Sequence, residues 1–88
     1  MPEISRFYGI IIYMYINDHN PPHFHARYNE FEATISINDF ALLKGKLPSK
    51  AYALVIEWAL LHQDELIENW GLLSNDDNKS FNKIEPLN

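Results

Sequence analysis

Eighty-eight residues, 47% of them hydrophobic, can bury one modest core but stand near the size at which burial is marginal, so self-association or a partner would add stability. The absence of cysteine excludes disulfides, iron–sulfur clusters and thiolate zinc sites. The net charge of −5 is uneven: residues 1–50 carry five acids against five Lys or Arg, and residues 51–88 seven acids against two Lys. Phosphate-backbone affinity comes mainly from Lys and Arg, so generic nucleic-acid binding is disfavoured and any RNA contact requires a local site in the neutral half. With no signal peptide and no apolar run of bilayer length, a soluble cytoplasmic protein without a membrane partner is the expectation.

In chain order, Ile4 to Gly9 places Arg6, Phe7 and Tyr8 ahead of a glycine that can bend the backbone. The apolar, β-branched and aromatic run Ile10 to Ile16 then reads as a largely buried strand. One face holds Ile10, Ile12, Met14 and Ile16; the other holds Ile11, Tyr13 and Tyr15, an aromatic floor for whatever lies beside it. Asn17 to Pro22 is turn chemistry, and Pro21-Pro22 stiffens the chain by fixing φ and removing two donors.

The stretch that follows, His23-Phe24-His25-Ala26-Arg27-Tyr28, reads as a strand. Alternation puts Phe24, Ala26 and Tyr28 on one side and the row His23, His25, Arg27 on the other. A two-residue turn at Asn29-Glu30 into Phe31–Ile37 pairs Tyr28 with Phe31, Ala26 with Ala33 and Phe24 with Ile35. The same register sets Arg27 against Glu32, His25 against Thr34 and His23 against Ser36, so polar meets polar throughout. Phe40 to Leu43 offers a further short edge strand.

Ser49 is a plausible cap for a helix running to Gly71. At 100° per residue, Ala51, Tyr52, Val55, Trp58, Ala59, His62, Leu66 and Trp70 form one stripe, with His62 as a hydrogen-bonded core histidine. Ile56, Leu60 and Ile67 form a second apolar ridge, more than a small sheet can cover, which predicts a homo- or hetero-oligomeric interface. A second start at Gln63-Asp64 would alter these angles. Residues 74 to 83 read as a polar loop, and Ile84 and Leu87 as anchors of a docked tail. The expectation is therefore one α+β domain: 1–45 a small antiparallel sheet of three or four strands, 49–71 one long C-terminal helix packed across it, and 74–88 loop and tail.

Three chemistries fit the histidine row. Two His at i and i+2 on a strand stand roughly 7 Å apart at Cα, within reach of one ion. A third ligand must come from His19, Asp18 or Glu32, none fixed by spacing, so no metal ligand set and no cofactor is assigned. Acid–base work on RNA is the second: paired imidazoles titrate near neutral pH and Arg27 can hold a phosphate. The third is a surface on which His23 and His25 simply pair with Ser36 and Thr34. On the acid–base reading His23, His25 and Arg27 are the candidate catalytic residues, with His19, Tyr8 and Tyr15 in binding roles, the tyrosines as stacking platforms for bases.

Ile4-Ser5-Arg6-Phe7-Tyr8-Gly9-Ile10, Met14-Tyr15, Asn17-Asp18-His19, Pro21-Pro22-His23-Phe24-His25-Ala26, Leu47-Pro48, Glu57-Trp58-Ala59, His62, Glu65-Leu66, Asn69-Trp70 and Ile84-Glu85-Pro86-Leu87 together resemble a small bacterial domain-of-unknown-function family, numbered 4160. Asn29-Glu30 stands where relatives often place glycine. The resemblance implies a gene pair with a second small protein, and a toxin-like member of a toxin–antitoxin module; it supplies no established reaction. On that basis the expected function is growth inhibition through RNA or the translation machinery, restrained by an antitoxin-like neighbour. The alternative is a non-enzymatic regulatory module that recognises a partner protein or DNA.

Overall fold

Backbone turns decide how many strands this chain makes. Tyr8 and Gly9 both take positive φ, 50° and 80°. That pair of left-handed residues is the two-residue hairpin turn whose twist matches the flanking strands. Glu3–Phe7 therefore folds back as β1 on β2, Ile10–Tyr13. Asn29, with φ 54°, makes the second tight turn, because asparagine tolerates the left-handed region that the missing glycine would supply. It joins β3 (His23–Tyr28) to β4 (Phe31–Ser36). The β3–β4 register is the one that alternation requires, from His23 opposite Ser36 to Tyr28 opposite Phe31.

The computed structural model describes residues 2–74 and 80–88. Its sheet is an antiparallel meander in the order β1-β2-β3-β4-β5, with β5 spanning Leu42–Lys46. The expected three or four strands thus become five. The first was hidden because a tyrosine carries half of its turn. The last lies later than Phe40–Leu43 and runs through Gly45, whose φ is 76°. A register shift opposite Thr34 and Ile35 leaves Leu43 as the extra residue between Leu42 and Lys44. Every residue of β5 is exposed, and its two lysines protect an edge that could otherwise pair with another chain.

The single long helix is also corrected. Two short helices, α1 (Ser49–Leu61) and α2 (Gln63–Ser74), meet at His62, which leaves helical geometry at φ −126°, ψ 24°. The break is built locally: the His62 N–H donates to Ala59 O at 3.2 Å, while the His62 carbonyl accepts the Leu66 N–H at 3.0 Å and starts the next helix. Asp64 and Glu65 in the first turn of α2 favour a new positive helix terminus there, and His62 Nδ1 lies 2.6 Å from Glu65 Oε1. Gln63 donates to the carbonyls of Ile37 and Asn38, so the break is tied to the end of β4.

The apolar sheet face and α1 close on Trp58. Its ring lies 5.5 Å from Phe7 and 6.0 Å from Phe24, among fully buried Ile10, Ile12, Ile35 and Val55. After the break α2 buries Leu66 of the stripe together with Asn69 and Leu73, which lie off it, and half-buried Trp70 packs on the core with its ring 5.1 Å from His23 of β3. Residues 75–79 of the predicted polar loop lie outside the described residues. Beyond them the Ile84 N–H donates to Ile4 O at 3.0 Å, extending β1, and Trp58 donates its indole N–H to Glu85 O at 2.8 Å. Among the described residues no helix is long and apolar enough to cross a membrane.

Candidate functional site

The sheet face turned away from Trp58 carries the chemistry. Residues directly opposite one another on antiparallel strands share a face. Arg6, Ile11, Arg27, Glu32 and Lys46 therefore form one cross-strand row, and Tyr13, His25, Thr34 and Lys44 the next. His23 and Ser36 make a third row, at the end nearest the loop 14–22. Four of the seven basic residues, Arg6, Arg27, Lys44 and Lys46, stand here against Glu3, Glu32 and Asp18 among twelve acids, so the excess negative charge lies on the rest of the chain.

Asp18 reaches the rows from the loop. Asn17, in the left-handed region at φ 57°, donates its N–H to Leu73 O at 2.9 Å and so fixes the loop to the end of α2. The next residue then turns its carboxylate over β3. Asp18 Oδ1 accepts the His19 backbone N–H at 2.9 Å, and His19 Nδ1 lies 3.1 Å from the same oxygen. Asp18 Oδ2 faces two imidazoles: His23 Nε2 at 2.8 Å and His25 Nε2 at 3.3 Å.

The two rings are held from behind. His23 Nδ1 lies 2.7 Å from the Pro21 carbonyl, which can only accept, so the proton is on Nδ1. Nε2, the remaining ring nitrogen, faces Asp18 Oδ2 at 2.8 Å. His23 is 4% exposed, with the Trp70 ring 5.1 Å away. His25 is stacked on Tyr13 at 5.0 Å, meets Tyr15 edge-on at 4.9 Å, and has Nδ1 3.3 Å from Thr34 Oγ1.

Electrostatics follow from that packing. Burial pushes the His25 imidazole below its ordinary range, opposed by the hydrogen bond to Asp18, so His25 is neutral at neutral pH. For Asp18 burial raises the carboxyl, but contacts with His25, the His19 backbone N–H and His23 outweigh it and hold the group below the usual aspartate range. Burial, then Glu32, drives the Tyr13 phenol well above its usual value, so this hydroxyl stays protonated.

Asp18, His23, His25 and Thr34 line an open cleft of about 630 Å³ together with Glu32, Tyr15, Pro21, Leu43, Lys44 and Gly45. Of the predicted site residues, His23, His25, His19 and Tyr15 converge on it. Arg27 and Tyr8 do not. Arg27 lies one row along, its guanidinium 6.0 Å from the centre of the Tyr13 ring. Tyr8 sits in the β1–β2 turn at the opposite end of the sheet from His23. His23 does not pair with Ser36 as the surface reading supposed, since Pro21 and Asp18 take both ring nitrogens; His25 does meet Thr34. His62 stays outside the cleft, beside Glu65 and 5.5 Å from the Trp58 ring.

Sequence reading left Asp18 as one of three possible third members and did not reach Lys44, Trp70 or the Pro21 carbonyl. Lys44 becomes legible once β5 is registered with Lys44 opposite Thr34. A main-chain acceptor leaves no mark in residue types.

A small α+β domain with a carboxylate and two imidazoles in an open sheet-face cleft is the class that fold and site define. Residues 9–71 match the family described as Domain of unknown function (DUF4160), and the chain belongs to that family. No curated protein and no solved structure matches it.

Proposed function

We propose that this chain is the toxin-like component of a bacterial toxin–antitoxin module, that it inhibits growth by acting on RNA in the Asp18–His23–His25 cleft, and that a neighbouring small antitoxin-like protein restrains it. The observation that carries the reading is the convergence of two imidazoles on one carboxylate beside Lys44, on the sheet face that carries four of the chain's seven Lys and Arg residues. Lys44 supplies a point charge for a phosphate, and exposed Tyr15 a ring on which a base can stack. The Asp–His–His group is the source of the proton acceptor for a ribose hydroxyl. A second reading, a non-enzymatic module that recognises a partner protein, is favoured by one feature: Leu60 and Leu61 at the end of α1 and Ile67 in α2 are each exposed, whereas Ile56 packs on the core.

The test is growth of a bacterial host after induction of the chain alone, beside Asp18→Asn and His25→Ala variants whose folding is checked by circular dichroism. Arrest by the parent only, with loss of intact cellular RNA, is the expected result. Growth without arrest at full expression of folded parent overturns the toxin reading, and arrest with RNA intact overturns the RNA target.

A further inference from the structure

We propose that Asp18 Oδ2, His23 Nε2 and His25 Nε2 together bind one divalent first-row transition ion, such as Zn2+, on the floor of the cleft, with its remaining coordination positions open to the cleft. The proposal uses the cleft's geometry and not its RNA reading, and it is measured on the protein alone.

Three observations carry it. The first is distance. With bonds of about 2.1 Å, two ligands of one ion lie about 3.0 Å apart at a right angle and about 3.4 Å apart in a tetrahedron. Asp18 Oδ2 stands 2.8 Å from His23 Nε2 and 3.3 Å from His25 Nε2, and donor atoms of all three residues lie within 4.8 Å of one another. An ion fits with small ring and carboxylate movements.

The second is tautomer. Imidazole ligands characteristically give their other ring N–H to a carbonyl or another acceptor, which fixes the ring and directs the free lone pair at the ion. His23 gives Nδ1–H to Pro21 O, and Thr34 Oγ1 stands ready to accept Nδ1–H from His25. The third is access. Two histidines and one carboxylate fill one side of a coordination sphere, a donor set that suits zinc, iron, cobalt or nickel better than magnesium, and the cleft side stays open. In the loaded protein both imidazole lone pairs are committed to the ion, and a water in an open position becomes the group whose pKa falls toward neutrality.

His19 is excluded from the set. Its side chain is 89% exposed and it meets the other carboxylate oxygen. That exclusion separates a built site from adventitious chelation by a histidine-rich surface.

The experiment is calorimetric titration of chelator-stripped full-length protein with Zn2+, repeated with Co2+ followed by visible absorption and with Mg2+ as the control. One Zn2+ per chain is expected, with a Co2+ ligand-field band, and with Mg2+ binding at least 100-fold weaker. Asp18→Asn and His25→Ala should each weaken Zn2+ at least 100-fold, Thr34→Val about 10-fold through the lost support of His25, and His19→Ala less than threefold. Should the ligand variants fail to fold, nitrogen NMR of the parent's imidazoles decides: Zn2+ must shift Nε2 of His23 and His25, with Nδ1 of each remaining protonated. No stoichiometric binding by the parent, binding unaffected in folded Asp18→Asn, or binding lost in His19→Ala overturns the proposal. Growth arrest that persists in a metal-free protein would leave the toxin reading standing and dismiss the ion from it.

Discussion

Gly45→Ala tests whether the β5 wall of the cleft is built as described. Gly45 has φ 76°, and a Cβ there would lie 2.1 Å from the Glu32 carbonyl oxygen and 3.1 Å from its carbon. The left-handed conformation costs a non-glycine residue about 1–2 kcal/mol. Relieving a clash with main chain costs about 1–3 kcal/mol more, because Glu32 sits in the β3–β4 ladder and cannot swing aside as a side chain tip would. β5 offers an escape, since all five of its residues are exposed and little core is lost if it detaches. The net expectation is a loss of about 2 kcal/mol, a fall in Tm of roughly 8–16 °C for a domain of this size. Amide exchange should show β4–β5 protection lost while β1–β3 stays protected, and Lys44 leaves the cleft with the strand. A Tm within about 2 °C of the parent, with β5 amides still protected, would refute both the register and the glycine requirement.

Asn69 is fully buried and makes two 2.8 Å hydrogen bonds, from its Nδ2 to Asn82 O and from the Asn82 N–H to its Oδ1. Asn69→Ala should cost about 1–3 kcal/mol and expose the tail to protease; an Ile84 amide as protected as in the parent would contradict this. Asp39 is held below the usual carboxyl range by the Ala41 backbone N–H and then by the Ser36 side chain. Because its folded value is depressed, this stabilisation is present above the ordinary carboxyl range and fades as pH falls through the folded value. Asp39→Asn should flatten the acid limb of Tm against pH slightly, and an unchanged limb would deny the turn contact. Leu60→Glu with Ile67→Glu should leave Tm nearly unchanged, as exposed sites do, and, if the proposed antitoxin-like neighbour binds there, abolish its co-purification; a complex retained by the double variant would place that interface elsewhere.

Legibility in the sequence tracked how local each determinant is. The β3–β4 register was readable because two faces must be satisfied at once, and a slip of one residue would have buried His25 and exposed Phe24. β1 was not, because its turn depends on Tyr8 accepting a conformation usually left to glycine, asparagine or aspartate. The helix break was visible only as a possible restart at Gln63-Asp64. A 100° projection assumes one axis: Leu66 and Trp70 of its stripe do pack on the core, but the approach of Trp70 to His23, 5.1 Å ring to ring, lies beyond it. The site divides the same way. His23 and His25 follow from strand alternation, whereas choosing Asp18 over His19 or Glu32 required the loop path set by Asn17 and Leu73.

His23 is where the core and the cleft meet, and this governs how the site must be probed. Its ring is nearly buried under Trp70, and both ring nitrogens are engaged by loop atoms, Pro21 O and Asp18 Oδ2. Replacing it with alanine removes the two contacts that hold the loop on β3 and leaves a void beside Trp70. Loss of activity in that variant therefore reports folding as much as chemistry. Asp18→Asn is cleaner: it keeps the volume and the Oδ1 acceptor for the His19 N–H, while it removes the charge and sets an NH2 donor where Oδ2 faces the two imidazoles. If that change disables the cleft while Tm holds, the carboxylate has a role beyond stability. If Tm falls with the activity, the cluster is first a clasp between loop and sheet, and chemistry must be sought in Lys44 and Tyr15 on the walls above it.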